Sequence, residues 1–412
     1  MKKNITIWSC FFAAIFLLQQ SATAQVTGCS TSRYLVNSFT NTTKTTVQYG
    51  SNLNTVGFPQ DLYMDIYQPT FDTAAKRPAI IFAHGGSFLF GSRADMNQLC
   101  LDFALKGYVT ATIDYRLWSF AGGIPDSFDM LGVVAKAIGD MKASVRYLRL
   151  DAATTNTFKI DTNNIFVAGL SAGAIAALHV GMMGPNDPLP SYLPPIIAAN
   201  GGWEGSSGDA VNLSHSSKVK GVMSLSGALY RKEIMDANDA PFIAVQGTDD
   251  ATVPFNKGIA AGIITMEGSN LLDQRATAVG VSHYFKAVPG GGHTDIYTQP
   301  QFANDMATFY INGLLFLKNL MCSPTATDEN QPLAEQIKVY PNPAHDAMTI
   351  GLETQHPCDI WVFDIMGRAV KNFSQVSNNV VLRAAEIGRG TFILHVVASD
   401  GKTTTSQKIK FD

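Results

Sequence analysis

From Leu62 to Leu320 short apolar runs alternate with stretches of helical periodicity. Leu62-Tyr63-Met64-Asp65-Ile66-Tyr67 alternates apolar with polar or aromatic residues and stops at Pro69, which predicts a strand. Pro78 to Ala83 is a short buried strand that runs into His84-Gly85-Gly86-Ser87-Phe88. Met96 to Lys106 reads as a helix and Tyr108 to Tyr115 as the next strand. Met130, Val134, Ala137, Ile138, Met141, Val145 and Leu148 fall at three- and four-residue steps, one face of an amphipathic helix. Asn164 to Leu170 is another buried strand, and an Ala-rich helical run follows it. Val219 to Leu225, Pro241 to Val245 and His283 to Val288 complete the strands, and Phe302 to Leu320 is the clearest late helix. Strands that alternate with helices predict a mostly parallel α/β sheet covered on both faces, with ligands at the strand C-terminal ends. Between Gly181 and Lys218 the pattern lapses into Pro, Gly, Ser and Asn, an inserted or capping loop.

The pattern changes beyond Cys322. Ser323 to Gln336 is polar with Pro324 and Pro332 and reads as a linker. Six alternating runs follow: Ile337 to Tyr340, Ala347 to Leu352, Ile360 to Asp364, Val380 to Leu382, Phe392 to Ala398 and Thr403 to Phe411. Residues 337–412 are therefore expected to form a small β-sandwich. At the other end, Lys2 and Lys3 precede an apolar stretch through Leu18, and Ala22-Thr23-Ala24 offers a small-x-small cleavage site. Residues 1–24 read as a secretory signal peptide, too short and interrupted in their apolar core for a membrane span. The expected division is thus 1–24, a catalytic domain over 25–322, a linker over 323–336 and the terminal domain.

The chain has 412 residues, 46% hydrophobic and 15% charged, with a formal net charge of −3. That is enough for a large core and more than one domain. The balance supplies no basic field for nucleic acid. Cys10 leaves with the signal; Cys29, Cys100, Cys322 and Cys358 remain, and an oxidising destination favours disulfides. Cys29 is expected to pair with Cys100 or Cys322, since Cys358 lies in the terminal domain. The competing reading makes Cys29 a lipid-anchored residue, from the loose likeness of Val26-Thr27-Gly28-Cys29 to a lipoprotein box.

Gly169-Leu170-Ser171-Ala172-Gly173 sits between the buried strand and the Ala-rich helix. A serine on such a strand–turn–helix corner is forced into a strained conformation with its oxygen above the sheet, and the glycines keep the corner free of collisions. A serine hydroxyl needs a base within hydrogen-bond reach and a carboxylate to orient that base. Eight histidines compete. His293 is favoured because it lies in Pro289-Gly290-Gly291-Gly292-His293-Thr294, a glycine-rich loop directly after a strand. His84 precedes the serine, His179 is on the helix after it, His215 is in the insertion, His283 starts a strand, and His345, His356 and His395 are in the tail. The carboxylate is expected from Gly247-Thr248-Asp249-Asp250-Ala251-Thr252-Val253-Pro254, with Asp250 preferred and Asp249 in reserve as a turn residue. A developing oxyanion would find donors in the backbone N–H groups of Gly85, Gly86 and Ala172, the last at a helix N-terminus. The order Ser…Asp…His on loops that each follow a strand points to acyl transfer without a metal or cofactor; there is no Cys/His ligand spacing and no phosphate-binding loop.

With these motifs, and with Leu62 to Pro69, Ile113-Asp114-Tyr115-Arg116-Leu117 and Gly247 to Pro254, the middle of the chain resembles a secreted α/β-hydrolase of the carboxylesterase type, close to acyl esterases that carry His-Gly-Gly and Gly-x-Ser-Ala-Gly. Ser87 stands where the hormone-sensitive-lipase pattern has a third glycine. The resemblance implies a serine esterase acting on small or polysaccharide-linked acyl esters, acetyl or feruloyl. A polyester depolymerase or serine peptidase of the same fold is the alternative, and a non-catalytic adhesion or glycan-binding module is the alternative of another class. Phe88, Phe90, Trp118, Tyr192 and Trp203 are candidates for an aromatic acyl pocket. Val339-Tyr340-Pro341-Asn342-Pro343-Ala344, Asp364-Ile365-Met366-Gly367-Arg368 and Gly390-Thr391-Phe392-Ile393 resemble the C-terminal sorting domain of type IX secretion cargo. That implies passage through the outer membrane, with the secretion machinery as partner and a secreted or cell-surface destination.

Overall fold

The computed structural model describes residues 26–29, 31–322, 337–352, 357–364, 369–398 and 404–412. The expected signal peptide and linker lie outside these residues. Eleven strands come before residue 322: β1 (Thr42–Leu53), β2 (Pro59–Pro69), β3 (Arg77–Ala83), β4 (Val109–Ile113), β5 (Ile160–Leu170), β6 (Gly221–Leu225), β7 (Ala228–Leu229), β8 (Phe242–Gly247), β9 (Lys257–Ala260), β10 (Ile264–Gly268) and β11 (His283–Val288). Eight of them form one sheet in the order β1-β2-β4-β3-β5-β6-β8-β11. The first two pairings are antiparallel and the remaining five are parallel. The parallel strands are the continuous apolar runs of the sequence because helices bury both of their faces.

Alternation along each strand divides the core in two. Ile81, Val167 and Val222 face α2 (Ser127–Ala153) and α3 (Ala172–Met182), while Ile80, Phe82, Phe166 and Ala168 face α1 (Asn97–Ala104) and α7 (Ala303–Cys322). Asp126 caps α2, its carboxylate accepting from the N–H groups of Phe128 and Asp129.

Four features differ from the sequence reading. β1 was not anticipated: among its twelve residues only Tyr49 is buried, so an edge strand of Thr and Lys carries no apolar alternation to detect, although its threonines favour extended backbone. A second small sheet, β7-β10-β9, stands beside the main one. The 181–218 stretch contains two short helices, α4 (Leu193–Ala199) and α5 (Ala210–Leu213). In the tail, Ala369–Val376 is an additional strand.

The inserted stretch is held by buried charges of α2 and by Arg116, which follows β4. Arg116 pairs with Asp140 at 2.8 Å and also reaches Ser207 Oγ at 3.1 Å. Arg146 donates to Asn212 Oδ1 and to the carbonyls of Glu204 and Ser207. Lys142 donates to the Trp203 carbonyl at 2.5 Å. These bonds satisfy backbone groups of a segment that has little secondary structure of its own.

Cys29 is bonded to Cys322, joining the segment before β1 to the end of α7. The Cys29–Cys100 alternative is thereby excluded, as is acylation of Cys29; Cys100 is a buried thiol in the core between α1 and β4. The tail folds as a three-stranded sheet over a four-stranded one. Trp361, Phe363 and Ile393 of the latter join the apolar cluster that contains Leu314, Leu317 and Met321 of α7.

Candidate active site

β5 ends at Leu170 and α3 begins at Ala172, so the corner between them is a single residue. Ser171 occupies it with φ 54° and ψ −116°, a conformation that L-residues hold only when their surroundings dictate it. Its N–H donates to the Leu225 carbonyl at 2.8 Å, which fixes the corner to β6. Gly173 cannot be larger: a Cβ there would stand 2.1 Å from the Ala83 carbonyl oxygen, because α3 starts against the end of β3.

His293 lies on the loop after β11. Its Nε2 is 2.8 Å from Ser171 Oγ and its Nδ1 is 2.8 Å from Asp250 Oδ2. A carboxylate only accepts, so Nδ1 carries the proton and Nε2 accepts from the serine hydroxyl. Asp250 Oδ1 also accepts from the N–H groups of Thr252 and Val253, both at 2.9 Å, and Gln246 Nε2 lies 3.3 Å from Oδ2. Asp249 points elsewhere: it is exposed and accepts from Thr248 Oγ1 at 3.0 Å. Of the two aspartates, only Asp250 reaches the imidazole.

The loop after β3 completes the site. Gly85 lies against the corner, where an added Cβ would be 3.3 Å from Ser171 Cβ. Gly86 has φ 109°, and a side chain there would meet the Phe90 carbonyl oxygen at 2.3 Å. Among the described residues the N–H groups of Gly85, Gly86 and Ala172 have no acceptor, leaving donors beside Ser171 for an anionic oxygen. His84 braces this loop instead of reacting. Its Nδ1 contacts the Gly85 carbonyl at 2.7 Å, its ring stacks on Tyr115 with centroids 4.3 Å apart, and burial lowers its pKa.

Several contributing residues were not picked out from the sequence. Gln246 donates to Asp250 and to the Val253 carbonyl. Tyr297 bonds Ser226 Oγ at 2.6 Å, while Ser226 lies beside the His293 carbonyl. Tyr297 is four residues after His293, so its loop position was visible in the sequence; its contact with Ser226 depends on packing across the sheet.

A hollow of about 60 Å³, partly open to solvent, adjoins Ser171. Phe88 lines it, as anticipated from the sequence, but the other proposed pocket aromatics do not. Trp118 faces a separate polar hollow beside Asp114 and Gln60. Tyr192 is exposed and bonds Tyr230, which does line the Ser171 hollow. Trp203 lies in the segment that Lys142 anchors, and Phe90 is exposed, stacked on Phe120. The wall is aliphatic because α2, α3 and α4 meet there through their apolar faces.

A mostly parallel eight-stranded sheet, with a serine on the turn after its fifth strand and an aspartate and a histidine on the loops after β8 and β11, defines the α/β-hydrolase fold. Residues 64–229 match the family model BD-FAE, and residues 338–410 match the one described as the Secretion system C-terminal sorting domain. Carboxylesterase 3B of Mus musculus is 33% identical over 115 residues, 28% of this chain and 19% of that protein. A Carboxylic ester hydrolase of Bombus ignitus is 31% identical over 115 residues, 27% of this chain and 19% of that protein. The chain spans about a fifth of the length of these curated relatives. Among solved structures, Thermogutta terrifontis esterase 2 phosphorylated by paraoxon is similar with a TM-score of 0.48 and 21% identity, covering 68% of this chain and 96% of that one. The chain thus has the α/β-hydrolase fold and is similar in part to carboxylesterases, and its tail is similar to a C-terminal sorting domain.

Proposed function

We propose that the protein is a secreted serine hydrolase of carboxylic esters that works through an acyl-enzyme. The observation that carries this reading is the continuous hydrogen-bonded chain from Ser171 Oγ through His293 to Asp250. In this reading Ser171 Oγ attacks the ester carbonyl as its proton passes to His293 Nε2. Asp250, buried and held by the backbone of Thr252 and Val253, keeps Nδ1 protonated and stabilises the imidazolium. The tetrahedral oxyanion lies against the N–H groups of Gly85, Gly86 and Ala172. His293 then returns the proton to the leaving alcohol, and a water molecule repeats the sequence to release the acid.

The similarity to two carboxylic ester hydrolases supports the reaction class, and the sorting-domain match supports export and delivery to the secretion machinery. Among the described residues no helix is long and apolar enough to cross a membrane. Small acyl esters, including those carried on polysaccharide, are the proposed substrate class. The test is hydrolysis of 4-nitrophenyl esters by the full-length chain and by Ser171→Ala. Turnover that disappears in the variant is expected; turnover that survives it, or a folded chain that cleaves no ester, overturns the reading.

A further inference from the structure

The hollow beside Ser171 has a direction. Its wall contains Ser171, Ala172, Ser87 and Phe88, the serine corner and the oxyanion loop, but among the described residues that line it His293 is not one. The leaving oxygen must lie within reach of His293 Nε2 to receive its proton. The hollow therefore opens on the acyl side of the ester carbonyl and not on the alcohol side.

Its chemistry is one-sided. Away from Ser171 the wall is built from Met130, Val134, Ile138, Ile175, Met183 and Met266, and α4 roofs it with Leu193 and Ile197. Besides Ser171, only four residues in the wall are polar: Ser87, His179, Tyr230 and Thr252. His179 uses both nitrogens, Nδ1 to the Ile175 carbonyl at 2.7 Å and Nε2 to the Tyr230 N–H at 3.1 Å. Burial lowers its pKa to about 4, so it stays neutral at ordinary pH. The Tyr230 hydroxyl is taken by that of Tyr192. Ser87 follows Gly86 in the oxyanion loop, and Thr252 is two residues from Asp250, to which its backbone N–H donates. Apart from Ser171 and these four groups, every residue that lines the hollow is apolar.

We propose, on the basis of the acyl-transfer reading above, that the acyl group this site takes is a linear aliphatic chain longer than acetyl, and not a feruloyl or related phenolic group. An acetyl methyl would touch only the residues nearest Ser171, whereas each added methylene removes apolar surface from water along the lining and raises kcat/KM about fourfold until the space is full. A phenolic ring would carry its hydroxyl into a wall that is almost wholly apolar, which lowers kcat/KM roughly ten- to hundredfold relative to an aliphatic chain of similar size. Flexible methionine side chains let the wall fit chains of more than one length.

The test uses the full-length chain with 4-nitrophenyl acetate, butyrate, hexanoate, octanoate and ferulate, so that the leaving group is constant. We expect kcat/KM to climb from acetate to hexanoate and ferulate to fall below butyrate. Two variants that fill the hollow from different segments, Val134→Trp on α2 and Ile263→Trp between β9 and β10, should each lower the hexanoate-to-acetate ratio at least tenfold. Acetate or ferulate as the best substrate overturns the inference, and so does a hexanoate-to-acetate ratio that neither variant moves. Either result leaves the serine-esterase reading intact. A folded chain that cleaves none of the esters instead overturns that reading and the inference with it.

Discussion

The corner that carries Ser171 and the segment that roofs the hollow border the same space but are built on opposite principles. The corner is local. A buried strand, a one-residue turn and a helix force Ser171 into its unusual backbone conformation, and Gly173 lets the helix start against β3. The roof, residues 183–218, is mostly loop and is anchored from a distance by Arg116, Lys142 and Arg146 of the neighbouring elements. One region is set by backbone sterics and the other by charges that need partners far away in the chain. In the proposed reading the chemistry that must not move lies on the first, while the second adds Met183, Leu193 and Ile197 to a hollow otherwise walled mainly by α2, α3 and the β9–β10 region.

The largest effect should come from the corner. Ser171→Ala is expected to lower kcat on the order of a millionfold and to leave the urea midpoint unchanged, since only one hydroxyl is lost. Next comes the aspartate pair. Asp250→Asn should lower kcat/KM on the order of 10⁴-fold by disturbing the imidazole tautomer, while Asp249→Asn, on an exposed turn, should leave both activity and stability near those of the unmodified chain. Equal losses in the two variants would contradict the geometry at His293.

The roof should fail differently. Arg116→Met leaves Asp140, fully buried, without its cation, so we expect a loss of about 3–5 kcal/mol in urea unfolding. Activity toward acetate should persist in the folded fraction. A stability loss under about 1 kcal/mol would mean that water replaces the guanidinium and that the roof is less tightly held than described.

The smallest effect concerns pH. The His179 pKa is lowered to about 4 by burial, below its usual 6.5. The folded state therefore binds this proton less readily than the unfolded state. Stability is fully present above pH 6.5 and falls as pH drops from there toward 4, by up to roughly 3 kcal/mol from this group. His84, also lowered by burial, acts in the same direction. Unfolding midpoints at pH 7 and 4.5 should differ in that sense, and His179→Gln should reduce the difference. A midpoint that rises on acidification would contradict it.

The same contrast explains what was legible in the sequence. The parallel strands could be read because burial on both faces writes continuous apolar runs, as at Ile80 to Ala83 and Ile165 to Leu170. Ser171, His293 and the pair Asp249–Asp250 stood out because each lies on a loop after such a run. The choice between the aspartates was open, since it depends on which carboxylate the turn before Val253 points at the imidazole. β1 was missed because its outward face is Thr and Lys at the sheet edge, where no apolar period is needed. The hollow was misread as aromatic: loop aromatics such as Trp118 and Trp203 are conspicuous in the sequence, whereas the wall comes from Val134, Ile138 and Ile175, whose helical periodicity marks them only as buried. Nothing local in residues 201–212 announces that Arg116 and Arg146 will hold them.

In the proposed mechanism Ser171 is the residue that becomes acylated. The direct measurement is the intact and peptide mass of the full-length chain after reaction with a fluorophosphonate, which mimics the tetrahedral intermediate and traps an activated serine. One adduct per chain, mapped to the peptide that contains Ser171 and blocked by prior incubation with a hexanoate ester, is the expected result. A folded chain that takes up no adduct, or one modified at another residue while Ser171 stays free, would contradict the account.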